Sequence, residues 1–373
     1  MENVPASAKA VPPVSSKTIA SARSSWPDYA KGMAMIFLVL GHVRTGFEKV
    51  QYQGQPLGVS QVMEMISQVL YLANVPLFFV ISGLYLRNSL MKRGAPHFIG
   101  NKFNTILYPY LVWGTIQLAF QYVGYRLHMS NTPRQATDWF NLLYNPRPLD
   151  QFWFLYVLFF ISVFYSLLVY YARLTKTALL IIATLAYIAY YYLPDQFFIL
   201  GIKQITKFFF YLVLGDIASR WLLDEANVKR FSAVWVIMLI LLAFTGVKLA
   251  MQGEAENNFF SLQNLLVLLA IFIGMSFTIS LSYLLQRLKA TRWLSVVGKN
   301  TMYIYCMHII IAGISRALLL KATNYQYPNS CIIIVTIISV GLPIALIPVF
   351  QRWGFWFLFS PVRPENKTAK PLV

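Results

Sequence analysis

Charge is what this chain has least of. Only 12% of its 373 residues are Asp, Glu, Lys or Arg, about half the share in a soluble globular domain. That excludes a set of soluble domains. Cysteine is nearly absent too: Cys306 and Cys331 are the only two, both inside apolar segments, so no disulfide framework exists. Metal-ligand spacings are missing, since Cys306-Met-His308 alone is too little for a site. No phosphate-cradling glycine loop, no HExxH and no GxSxG occurs. Phosphate-loop, zinc-protease and lipase-type serine chemistry therefore have no support. No repeat of fixed period is visible, which argues against a solenoid.

What fills the sequence is apolar: 58% of residues are hydrophobic. The apolar runs, broken by polar or basic loops, predict an all-α polytopic integral membrane protein of about ten helices. They fall near 32–49, 66–86, 104–126, 152–172, 178–194, 204–222, 231–250, 262–285, 301–320 and 331–351. Each approaches the ~20 residues needed to cross ~30 Å of hydrocarbon. The net charge of +18 is spread in short clusters between these runs, which fits topology control and not a nucleic-acid surface. An N-terminus in the cytoplasm puts about two thirds of the 31 Lys and Arg on the cytoplasmic side, so both termini are expected there. Residues 1–25 read as a disordered tail, 26–360 as one transmembrane domain and 361–373 as a second cytoplasmic tail. No cleavable signal peptide is expected. The longest outer loop, about 128–151, is of a length that is often functional.

The richest segment is Asp28-Tyr-Ala-Lys31-Gly-Met-Ala-Met-Ile-Phe-Leu-Val-Leu-Gly-His42. Titratable groups in a membrane helix are costly and usually mark function. At about 100° per residue, Lys31 falls within roughly 20° of His42 and Asp28 within about 40°, so all three share one stripe. His42 lies about 16 Å along the axis from Lys31, roughly half the hydrocarbon thickness. An imidazole there suits general base work or covalent acyl transfer; the structural alternative is a histidine hydrogen-bonded between helices. Lys31, taken alone, reads as a snorkelling anchor.

Three other blocks carry polar groups at membrane depth. In Gly298-Lys-Asn-Thr301-Met-Tyr-Ile-Tyr305-Cys-Met-His308, the residues Thr301, Tyr305 and His308 form one stripe, and His308 lies near the depth of His42. In Asn74-Val-Pro76-Leu-Phe78-Phe79-Val-Ile-Ser82-Gly83-Leu-Tyr-Leu-Arg87, Pro76 and Gly83 are expected to loosen a helix facing a cavity, or else Ser82 and Gly83 permit close helix approach. Arg87, Lys92, Arg93 and Lys102 surround an inner loop; they could hold phosphates or simply set topology. Trp153, in Asp150-Gln-Phe-Trp153-Phe154-Leu155, reads as an aromatic-belt residue or a sugar-stacking surface.

Together these blocks resemble the membrane-bound acyltransferase family 3, particularly its fucose 4-O-acetylase-like branch. They are Asp28…Lys31-Gly32…Gly41-His42, Pro76-Leu-Phe78-Phe79…Ser82-Gly83, Trp153-Phe154-Leu155 and Gly298-Lys299-Asn300…Tyr303-Ile-Tyr305…His308. The resemblance implies an O-acyltransferase of the cell inner membrane. It would move an acyl group, most often acetyl, from cytoplasmic acyl-CoA to a hydroxyl of an envelope carbohydrate or glycolipid. Acyl-CoA would be a co-substrate, with no metal; membrane lipids and a carbohydrate or sugar-lipid acceptor would be the partners, and nucleic acid would not. On this basis His42, Lys31 and Asp28 are the catalytic candidates. His308, Tyr305, Asn74, Ser82 and Trp153 are candidates for the substrate cavity, and Arg87 and Lys102 for the phosphates of CoA. Lys31 stands where many members have Arg, which keeps the charge and gives up bidentate recognition. The positions before Pro76 that are often His-Met read Asn74-Val75 here. A proton-coupled transporter or flippase is the rival reading, with the intramembrane histidines as proton-coupling groups.

Overall fold

The computed structural model describes residues 25–127, 133–250, 258–288 and 291–362. The two terminal tails expected from the sequence lie outside these, apart from Ser25, Pro361 and Val362. The described chain is mostly helical. Its helices are α1 (Trp26–Glu48), α2 (Gln61–Leu84), α3 (Leu86–Arg93), α4 (Ala95–Lys102), α5 (Tyr108–Arg126), α6 (Asn141–Tyr144), α7 (Trp153–Ser166), α8 (Lys176–Tyr192), α9 (Ile202–Leu222), α10 (Glu225–Phe231), α11 (Val234–Ala250), α12 (Leu262–Leu288), α13 (Arg292–Lys299), α14 (Thr301–Ala322) and α15 (Pro328–Arg352). Each apolar run of the sequence coincides with one of the longer helices. Among the described residues, four stretches are long and apolar enough to cross a membrane: Asp150–Tyr171, Leu262–Leu288, Thr301–Ala322 and Pro328–Arg352. Helix α8 and the stretch Val234–Val247 are apolar but shorter, and α1 carries Asp28, Lys31, Arg44 and Glu48 along its length.

The all-α expectation needs one small amendment. Between α1 and α2 lies a two-residue hairpin, β1 (Gln51–Tyr52) antiparallel to β2 (Gln55–Pro56). Its turn residues Gln53 and Gly54 both have positive φ, 52° and 77°, the backbone of a tight two-residue hairpin loop. Tyr52 stacks on Tyr325, ring centroids 4.3 Å apart, and ties this hairpin to the α14–α15 connection.

Helix α1 is the hub, packed against α2, α12, α13, α14 and α15. Its first turn has Pro27 and Asp28, residues suited to the free N–H groups and positive dipole there. Trp26 pins that turn: it is fully buried, its indole N–H donates to the Leu222 carbonyl, and Tyr283 meets it edge-on and donates to the same carbonyl. In a lipid environment apolar burial alone does not choose partners, so close backbone approach and polar contacts specify helix pairing. Two glycine pairs do this here. At the α1–α13 contact, a Cβ on Gly298 would lie 1.7 Å from the Asp28 carbonyl oxygen, and one on Gly32 would lie 2.2 Å from that of Leu294. At the α2–α9 contact, Gly83 faces Leu212 and Gly215 faces Val80 with the same tightness.

Pro76 does not interrupt α2, which runs on to Leu84. The break comes at Tyr85, φ −110°, where α3 begins. Helix α4 leads through a wide π-turn at Phe103–Leu107 into α5, and α13 gives way to α14 at Asn300.

Candidate active site

Of the stripe expected from the sequence, Lys31 and His42 face a cavity and Asp28 does not. Lys31, Met35, Leu38 and His42 of α1 line one cavity of about 310 Å³. Val75, Phe78 and Ser82 face it from α2, Trp153 and Leu158 from α7, Thr301 and Tyr305 from α14, and Lys102 from the end of α4. The spacings 31, 35, 38, 42 and 75, 78, 82 are those of single helix faces. The wall is therefore mostly apolar, with the Lys31 cation at one end, an imidazole farther along α1, and Lys102 as a second cation.

At the cationic end, the Lys31 ammonium sits 2.8 Å from Asp28 Oδ1, and both side chains keep some solvent contact. Asp28 itself is not part of the cavity wall; it holds Lys31. Its backbone is the surface on which Gly298 rests, so the two glycine motifs locate this ion pair. Lys102 lies at the end of α4, outside the spanning helices, 5.4 Å above the Phe98 ring. Burial, reinforced by the nearby Arg93 charge, pulls its pKa down to about 8. An ammonium this poorly solvated gains from an anionic partner.

Deeper in, Tyr305 donates its hydroxyl hydrogen to the backbone carbonyl of Gln151, joining α14 to the start of α7. Gln151 is buried and lines the cavity. It exchanges amide hydrogen bonds with Gln117 of α5, 2.9 Å in one direction and 3.4 Å in the other. The preceding residue, Asp150, has a left-handed backbone, φ 51°. Its carboxylate accepts from Gln117 at 3.0 Å and Gln121 at 2.7 Å, with Arg134 at 3.8 Å. The motifs of the sequence do not single out Gln151 or Gln117; a buried glutamine inside an apolar run is the signal that points to them.

The other expected site residues are distributed unevenly. Ser82 and Trp153 line the cavity; Ser82 donates to the Phe78 carbonyl at 2.8 Å. Asn74 is buried but stands off the cavity, its Nδ2 without a hydrogen-bond partner among the described residues. His308 is fully buried and also behind the wall, its ring centroid 5.4 Å from that of His42. Arg87 is turned away: its Nε donates to both carboxylate oxygens of Asp216, 2.9 and 3.1 Å. Asp216 is 2% exposed and also accepts from Tyr165 at 2.7 Å. Lys176 donates to its backbone carbonyl at 2.9 Å and pairs with its carboxylate at 3.6 Å. Beside the Gly83–Gly215 contact, this cluster ties the start of α3, with α7 and α8, to α9. Asp216, an acid in an apolar run, is legible by the same signal as Gln151.

A larger hollow of about 420 Å³ lies elsewhere, between α9, α11 and α12. Its wall is apolar apart from Ser276, Ser280 and Tyr283, and that tyrosine hydroxyl is already committed to Leu222. It offers no group for acid–base work. Among the described residues no cluster of His, Cys, Asp and Glu could hold a metal ion.

A family model described as an acyltransferase domain, that of acyltransferase family 3, matches residues 24–348. That range holds every candidate residue above. Comparison with curated proteins and with solved structures returns no match.

Proposed function

This chain belongs to acyltransferase family 3, and on that premise we propose that it is an O-acyltransferase using acyl-CoA, with acetyl as the group transferred and an envelope carbohydrate or glycolipid hydroxyl as acceptor. The observation that carries this reading is one cavity lined by Lys31, Lys102 and His42, with Lys31 and His42 on the same helix stripe. Eleven residues of helix separate Lys31 from His42, about 16 Å, close to the reach of an extended pantetheine arm. The lysines hold the phosphates of the donor, Asp28 keeps Lys31 in place, and the thioester arrives beside the imidazole. Trp153 and Ser82 border the space left for the acceptor. Ten membrane spans, both termini in the cytoplasm and a place in the inner membrane complete this reading.

The chemistry follows from that placement. His42 takes the proton of the acceptor hydroxyl as the hydroxyl oxygen bonds to the thioester carbonyl carbon. The carbon–sulfur bond then breaks, and the departing thiolate recovers the proton from the imidazolium. Ester, free CoA and neutral His42 remain. In the two-step variant His42 attacks the thioester carbonyl carbon and the carbon–sulfur bond breaks to release CoA thiolate; the acceptor hydroxyl then takes the acyl group from the imidazole, and its proton passes to the thiolate.

The test is purified protein in detergent with radiolabelled acetyl-CoA, alone and with envelope lipids, beside His42→Ala. Release of CoA, or label on the protein, that disappears in the variant supports the proposal. A folded protein that leaves acetyl-CoA untouched under every condition refutes it and favours the transporter.

A further inference from the structure

We propose that His308 is the positioning residue of His42: its bare ring nitrogen receives the N–H of His42 on the side turned from the cavity and so fixes which His42 nitrogen faces the reacting groups. This rests on the role given to His42 above, but it is tested separately.

The hydrogen on His308 can be placed first. Its Nδ1 lies 2.9 Å from the Tyr305 carbonyl and 3.1 Å from that of Ile304. A carbonyl oxygen only accepts, so Nδ1 carries the hydrogen. In the neutral ring the lone pair is then on Nε2. That atom is buried and has no hydrogen-bond partner among the described residues. Buried polar atoms are nearly always paired, so an orphan at a polar site calls for an explanation.

The aromatic neighbours of His308 are Tyr305, at 6.0 Å between ring centroids, and His42, at 5.4 Å with the planes tilted by 43°. The Tyr305 hydroxyl is already given to Gln151. That leaves the imidazole of His42 to supply a hydrogen. The bond is not made in the rings as they stand, but ring nitrogens lie about 1.1 Å from the centroid, so a small rotation that turns two of them toward each other across this gap brings them to about 3.2 Å, within hydrogen-bond range. Asp150 and Lys49 are the charged groups that also act on His42, and neither replaces a neutral acceptor on the α14 side.

The arrangement makes His308 do for His42 what a carboxylate does in a hydrolase triad: it selects a tautomer and an orientation without exchanging protons with substrate. It also explains why His308 is buried behind the wall instead of lining the cavity. His308 touches no substrate.

The experiment compares His308→Gln, His308→Asn and His308→Leu with the unmodified protein. A glutamine carbonyl stands near the Nε2 position and preserves the acceptor, whereas asparagine reaches only the Nδ1 position. Two readouts are taken from ¹⁵N-histidine-labelled protein in nanodiscs: the tautomer of His42 by long-range ¹H–¹⁵N spectra, and CoA release from acetyl-CoA. Expected are a single His42 tautomer in the unmodified protein and the Gln variant, and a mixture in the Asn and Leu variants. The turnover number should fall about a hundredfold in the latter two with the KM for acetyl-CoA unchanged, and by no more than a few-fold in the Gln variant. Equal tautomer patterns in all four proteins overturn the proposal, as does equal loss in the Gln and Leu variants when their thermal unfolding matches the unmodified protein. If the unmodified protein releases no CoA, the proposed function fails, while the tautomer spectra still decide the role of His308.

Discussion

Replacing Gly298 by alanine tests how the glycine contact sets the candidate active site. The added Cβ would sit 1.7 Å from the Asp28 carbonyl oxygen, 2.6 Å from its carbonyl carbon and 3.0 Å from the Gly32 nitrogen. All three are backbone atoms, so no side chain can swing aside. Ordinary contact begins at 3.4 Å, and the first turn of α1 is pinned by Trp26 and Tyr283 to Leu222. Relief therefore requires α13 to move off α1 by about 1.7 Å, taking the difference between those two distances. Overpacking of this kind costs about 1–3 kcal/mol. A displacement of about 1 Å at a reacting geometry costs on the order of a hundredfold in rate, or about 2.7 kcal/mol of barrier. Gly298→Ala is expected to lower kcat/KM for acetyl-CoA by about a hundredfold and to lower the unfolding temperature. The control is Gly313→Ala on α14, where an added Cβ meets nothing within 4 Å; there alanine should be neutral or slightly stabilising, since it gains up to about 1 kcal/mol of helix propensity. Turnover is read as CoA release and stability from intrinsic fluorescence on heating. A Gly298→Ala protein with unaltered kcat/KM and unfolding temperature would refute the reasoning, and so would equal damage from Gly313→Ala.

Two further outcomes are expected. Lys102 is protonated below its pKa of about 8 and loses its charge above it, so the KM for acetyl-CoA should rise as pH passes from 7 to 9, and Lys102→Arg should flatten that rise; a KM profile identical in both proteins would remove Lys102 from the donor site. Asp216→Ala leaves Arg87 and Lys176 without their shared carboxylate; with both cations partly solvated (24% and 37% exposed), the cost should be about 3 kcal/mol, the low end for breaking a buried pair. Thermal unfolding of that variant beside Arg87→Ala and the double variant would expose the coupling, and strictly additive losses would show that Arg87 and Asp216 do not clasp α3 to α9.

The parts of the site that lie on one helix are legible in the sequence alone. Lys31 and His42 share a face because the helical period places residues eleven apart nearly in line, and no tertiary contact is needed to know it. Tyr305 and His308 also lie on one side of α14, but only Tyr305 reaches the cavity wall. Arg87 shows the limit: a basic cluster looks alike whether its charges await a phosphate or are already neutralised, and Asp216, which neutralises Arg87, is 129 residues away. Gln151 and Gln117 escape a reading of motifs for the same reason. Each is a single polar residue in an apolar run, and only the pairing of α5 with the start of α7 makes them a unit.

The sequence by itself determined that this chain is an apolar bundle of helices, that no disulfide framework holds it, and which side chains ride on the inner stripe of α1, because composition and the 3.6-residue period are properties of the chain alone. Only the tertiary structure decided that the Gly32 and Gly298 motifs are two halves of one contact, that His308 stands behind His42 instead of in the cavity, and that Lys102 and not Arg87 lines the cavity that Lys31 also lines. The reason is that these are relations between helices distant in sequence. In a membrane, where apolar faces are interchangeable, such relations are chosen by close backbone approach and by the pairing of a few polar groups.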